Sequence, residues 1–124
     1  MNILFCKWNG ACEIAIENAF KTLGHSVATI EYNFAQADYS AECANFISDA
    51  MKDANIDVVF SANYMPIVSR VCKVYKTPYL SWIMDSPAMH LYSNTVSNSC
   101  NRIFIFDKIL YEKVKSYNKE GIFY

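Results

Sequence analysis

The chain has 124 residues, 53% of them apolar, and a formal net charge of -1. That length makes one domain with a full core, and the apolar content excludes a disordered chain. No basic block points to nucleic acid, no acidic tail points to a charged partner, and no apolar run is long enough to span a membrane.

The first strand is read at residues 2–6. A loop from Lys7 to Cys12 contains Asn9-Gly10. Helical spacing follows from Glu13 to Leu23, with Ile16, Phe20 and Leu23 on one face and Gly24 as the stop. Val27 to Tyr32 reads as a second, alternating strand. Ser40 is the expected N-cap of a helix running to about Ala54, with Phe46, Ile47, Ala50 and Met51 inward.

Ile56 to Phe60 reads as the third strand and residues 61–64 as its loop. Pro66 suits the first turn of a third helix, which carries Ile67, Val71 and Val74 and ends before Pro78. Residues 79–84 supply strand four, closed by Asp85-Ser86-Pro87, and Trp82 within it is read as core. After a short helix, residues 102–107 form strand five. A helix through Tyr117 follows, with Asp107 as its expected cap. Gly121 breaks the chain before a last strand at residues 122–124, short enough to suggest a domain cut from something longer.

Strands alternating with helices imply an α/β fold: a doubly wound, mostly parallel Rossmann-like sheet of five to six strands with helices on both faces. The expectation is one domain over residues 1–124. Five cysteines, an odd number without C-x-x-C, read as reduced thiols of a cytoplasmic protein, with Cys6, Cys43 and Cys72 buried. His25 and His90 are not at ligand spacing with any cysteine, so no metal site is expected. His25 reads as structural.

Ligands of such sheets bind beyond the carboxyl ends of the strands. Those ends hold Trp8, Asn9, Gly10, Asn63, Tyr64, Asp85 and Ser86, with His90 just beyond. Flat rings beside amides and a carboxylate suit a sugar or nucleoside. With strand one central and strand four its neighbour, the Trp8 loop would face Asp85-Ser86. Asp85 also has a plain reading as an Asx turn, and Gly10 stands outside any G-x-G-x-x-G pattern.

Trp82-Ile83-Met84-Asp85-Ser86-Pro87, then Leu91-Tyr92, then Ile103-Phe104-Ile105-Phe106-Asp107 and Gly121-Ile122-Phe123-Tyr124, resembles the N-terminal domain of spore-maturation-type glycosyltransferases. There a W-x-x-D-(S/N)-P strand end precedes a F-x-F-D strand end by some twenty residues. The motifs cover Ile56 to Tyr124; residues 1–55 share only a strand-loop-helix order. The resemblance implies the GT-B plan, two Rossmann-like domains facing a cleft. This chain would be the acceptor side, inactive alone and binding no cofactor itself. A C-terminal domain would hold the nucleotide sugar and the sugar acceptor would lie between; Asp85 as the base is read from its place at the end of strand four, not from the family pattern. Trp8, Asn9, Gly10, Asn63, Tyr64, Ser86 and His90 would contact substrate. The alternative is a stand-alone, non-catalytic module binding a nucleotide or sugar, or a protein partner, through the same rim.

Overall fold

The computed structural model describes residues 1–53 and 55–124. Its six strands are β1 (Asn2–Lys7), β2 (Ser26–Glu31), β3 (Val58–Ala62), β4 (Tyr79–Ile83), β5 (Asn101–Ile105) and β6 (Ile122–Phe123). All pair in parallel, in the order β2-β1-β3-β4-β5-β6. The α-helices are α1 (Glu13–Thr22), α2 (Ala41–Asp53), α3 (Pro66–Tyr75) and α4 (Lys108–Val114). The fold is thus the doubly wound α/β sheet that the alternation implies. Four short 3-10 turns join these elements, two of them (Met89–Tyr92 and Asn94–Ser97) where one short helix is expected before β5.

Strand order corrects one expectation. β3 stands between β1 and β4, because each crossover after β3 steps to the next position on the same side. The expected end of the second helix at Ala54 lies outside the described residues.

Side-chain alternation divides the core into two unequal layers. Leu4, Cys6, Val59, Ile83, Ile103 and Ile122 point to the face that carries α2, α3 and α4. Ile3, Phe5 and Phe60 point to the other, where Ile16 and Phe20 of α1 cover them. Trp82 belongs to that second face and is 45% exposed, so it is not core. Leu23 and Val74 are also exposed rather than inward. On α3 the buried arc centres on Val68, Val71 and Cys72, and Val74 falls at its rim. Phe46 lies half out of the core, against Tyr32.

The helix ends follow local chemistry. Gly24, at φ 91°, closes α1: its N–H donates to the Lys21 carbonyl, and the His25 N–H donates to that of Phe20. Ser40 Oγ accepts the Cys43 N–H at 3.1 Å, the N-cap expected of it. Asp107 Oδ1 accepts the N–H groups of Ile109 and Leu110. The β4–β5 connection is held by a buried side chain instead of an α-helix. Asn101 Nδ2 donates to the Thr95 carbonyl at 2.9 Å and to the Tyr64 hydroxyl at 3.2 Å, while its Oδ1 accepts Ser69 Oγ at 2.7 Å.

Cys6, Cys43 and Cys72 are fully buried. Burial pushes the Cys6 and Cys72 thiols well above their ordinary value and Cys43 up to about 11, with the Glu42 charge adding to the last. A raised thiol stays protonated in the fold while its unfolded counterpart ionises near pH 9. Its stabilisation is therefore complete below pH 9 and shrinks as pH rises. The expected loss is roughly 1.4 kcal/mol per pH unit for each such thiol. For Cys43 the loss should level off near pH 11. Urea unfolding at stepped pH measures the slope. Thiol labelling at neutral pH should spare these three until the chain unfolds; fast native labelling would contradict the core assignment.

Candidate functional site

β1 leads to β2 on one side and β2 returns to β3 on the other, so the switch point of the sheet lies between β1 and β3. A hollow of about 320 Å³ opens beside it, at the carboxyl ends of the strands. Trp8, Asn63, Tyr64, Asp85 and His90 all line it. Asn9, Gly10 and Ser86, also expected at the site, do not. Ala35, Met65, Pro87, Ala88 and Met89 complete its walls.

Trp8 reaches the hollow although β3 separates its strand from β4. Its indole N–H crosses to the Ala62 carbonyl at the end of β3, at 2.6 Å. With that donor committed internally, the ring serves as a flat wall. Gly10 is required by the same ring: a Cβ there would stand 2.9 Å from Trp8 Cζ2.

Glu13 is the residue that sequence reasoning passed over. Its carboxylate is buried and accepts the Trp8 N–H at 2.9 Å and the Gly10 N–H at 2.7 Å. It also sits at the first position of α1, where negative charge is favoured. In many sheets of this kind the loop after β1 turns its N–H groups toward a bound phosphate. Here an internal carboxylate holds two of them. The Gly10-x-x-Glu13 spacing, akin to a capping box with glycine at its head, was the available signal.

Asn63 ties β3 to β4. It takes φ 65°, a left-handed conformation that asparagine tolerates better than most residues. Its Oδ1 accepts the Met84 N–H at 2.8 Å and the Asp85 N–H at 3.2 Å. Its Nδ2 donates to Asp85 Oδ2 at 2.6 Å. Asp85 is exposed and held by one donor, which leaves acceptor capacity toward the hollow.

Tyr64 contributes only its ring. Its hydroxyl pairs with Thr95 Oγ1 at 2.7 Å inside the core, and burial raises its pKa. The loop beneath is pinned by Tyr79, whose hydroxyl accepts the Met65 N–H at 3.0 Å and meets Ser61 Oγ at 2.5 Å. Ser86, outside the hollow, donates to Asp107 Oδ2 at 3.1 Å and joins the ends of β4 and β5. The backbone N–H of Leu110, then Ser86 and the Ile109 N–H, hold the Asp107 carboxyl below its usual range. That carboxylate serves as a cap, as expected.

The hollow thus pairs an aromatic wall with an accessible carboxylate, at a volume suited to one small polar ring. Among the described residues no group of histidine, cysteine or carboxylate side chains could hold a metal ion, and no helix is long and apolar enough to cross a membrane. No protein-family model matches the chain, and no curated protein matches it.

Glu13→Ala should lower stability by about 2–3 kcal/mol, since two half-buried N–H groups lose a charged acceptor. Glu13→Gln should recover only part of this, because an amide nitrogen would confront one donor. Denaturant unfolding measures both. A loss below about 0.5 kcal/mol for Glu13→Ala, the range of an ordinary surface change, would remove Glu13 as the lock of this loop.

Proposed function

We propose that this domain forms the acceptor side of a GT-B glycosyltransferase, with the hollow as the acceptor subsite. The observation that carries the reading is the convergence of Trp8, Tyr64, Asn63 and Asp85 on one hollow at the switch point. A sugar ring lays its C–H face on an aromatic ring and offers its hydroxyls to a carboxylate. The Glu13 contacts support a division of labour, because the N–H groups of Trp8 and Gly10 are occupied. The nucleotide sugar then belongs to a second domain across the cleft. Asp85 accepts the proton of the attacking hydroxyl, and Asn63 holds it in place.

Tryptophan fluorescence and NMR titration test the binding half on this chain alone. Simple saccharides should perturb Trp8 and the Asp85 amide, and free nucleotides should not. Asp85→Ala should weaken saccharide binding by roughly 10-fold or more, the usual effect of losing a hydrogen bond to a charged group. Nucleotide-sugar binding tighter than saccharide binding would sink the assignment, as would sugar transfer catalysed by these 124 residues unaided.

The chemical half needs a polypeptide that carries both domains. There Asp85→Asn should lower turnover by roughly two to four orders of magnitude and leave acceptor binding little changed. A near-normal rate would leave Asp85 as a turn residue, since asparagine forms the same turn.

A further inference from the structure

Strand order leaves part of this sheet bare. Only the β1-to-β2 crossover runs toward its edge, so among the described residues only α1 covers the second face. Beyond α1, Trp82, Phe104 and Phe123 stand opposite one another on β4, β5 and β6. Phe104 and Phe123 stack with ring centroids 5.1 Å apart. The three are 45%, 37% and 38% exposed. Trp82 and Phe104, with Leu80 and with Ala19 and Leu23 of α1, line an apolar groove of about 420 Å³, and Phe123 extends the apolar row beyond it on β6.

The outer surface of α1 continues this patch with one exposed charge, Lys21, which is paired to Glu17 at 2.8 Å. Glu13 is buried, and the Glu17 carboxylate is paired with both Lys7, at 3.2 Å, and Lys21. Besides Lys21, the outward residues are Ile14, Ala15, Asn18, Ala19, Thr22 and Leu23, with Ile14 69% and Leu23 73% exposed. An ordinary solvent-facing helix surface carries charged residues. Apart from Lys21, this one is built of small, apolar and uncharged residues.

We propose that this face is an isologous interface between two copies of the chain, in which α1 of each copy fills the groove of the other. Geometry and area both support it. From β4 to β6 is two strand spacings, about 10 Å, the width of one helix. A twofold axis beside α1 would set the two α1 helices side by side, with Ala15 and Ala19 allowing close approach. The pair would then form a shared helical layer between two sheets. At 150–250 Å² per aromatic side chain, the three aromatics expose roughly 250 Å². Ile14, Leu23 and the smaller residues of α1 bring the surface close to the roughly 800 Å² that each partner of a standard interface buries.

Sedimentation velocity across a concentration series tests the proposal on the chain as it is. A dimer is expected at tens of micromolar, with Trp82 shielded from acrylamide in a Trp8→Phe background. Ala19 is exposed, so Ala19→Glu should fold normally by circular dichroism. It should also raise the dimer dissociation constant by about 100-fold or more, since it buries an unpaired charge. Val74→Glu, at an exposed apolar position on the opposite layer, should leave the dimer intact. A chain monomeric at about 100 μM, far above the range of a standard-size interface, overturns the proposal. So does a dimer that survives Ala19→Glu or leaves Trp82 open to quencher. A longer polypeptide that is monomeric yet shields Trp82 overturns it too, because the face would then be covered by a segment of the same molecule.

Discussion

A parallel strand returns to its sheet by a right-handed crossover, because a twisted strand feeding a right-handed helix packs back only that way. In this chain the crossover runs once toward one edge, from β1 to β2, and afterwards always toward the other. That single reversal separates the loops after β1 and β3 and opens the hollow between them. It also places α1 alone on one face and the remaining helices on the other. The candidate site and the bare aromatic face are two results of one handedness rule acting on one strand order.

Polar side chains do the fine positioning. Glu13 holds the loop after β1, Asn63 holds the end of β4, Asp107 caps α4, and Asn101 anchors the β4–β5 connection. Each satisfies backbone or side-chain donors or acceptors that would otherwise cost free energy at a buried or half-buried loop. The aromatic walls therefore rest on loops with fixed geometry. Trp8 shows the coupling most directly: its backbone N–H is held by Glu13, its indole N–H by Ala62, and its ring lies against Gly10.

Hydrogen-bonding capacity also separates ligand contacts from structural groups. A group whose hydrogen-bonding capacity is spent internally is a poor candidate for a ligand contact. Asn63, the Tyr64 hydroxyl, the Trp8 indole N–H and Ser86 all have internal partners. Asp85 retains open acceptor positions at the rim, which is why the proposed acid–base role rests on it.

Much of the fold was legible in the sequence. Apolar runs between helical repeats specify a parallel sheet, Gly24 and Ser40 mark helix ends, and Asp107 marks a cap, because these signals are local in sequence. The rim residues were legible as a set, since a doubly wound sheet puts its loops at one end. Their grouping was not: Asn9, Gly10 and Ser86 fall outside the hollow, while Ala35 and Met89 line it. Strand order decided that β3 separates β1 from β4, and nothing local in residues 79–83 encodes which strand is their neighbour. Trp82 sits in an apolar strand, and strand patterning alone reads it as core. Only the arrangement of the helices leaves its face uncovered. Glu13 reads as an ordinary first-turn acid until the fold brings the Trp8 and Gly10 N–H groups to its carboxylate. Local propensity and periodicity thus determined the elements and the end of the sheet where a ligand could bind. Pairing between strands distant in sequence, which no short-range signal reports, decided which side chains meet there and which face stays bare.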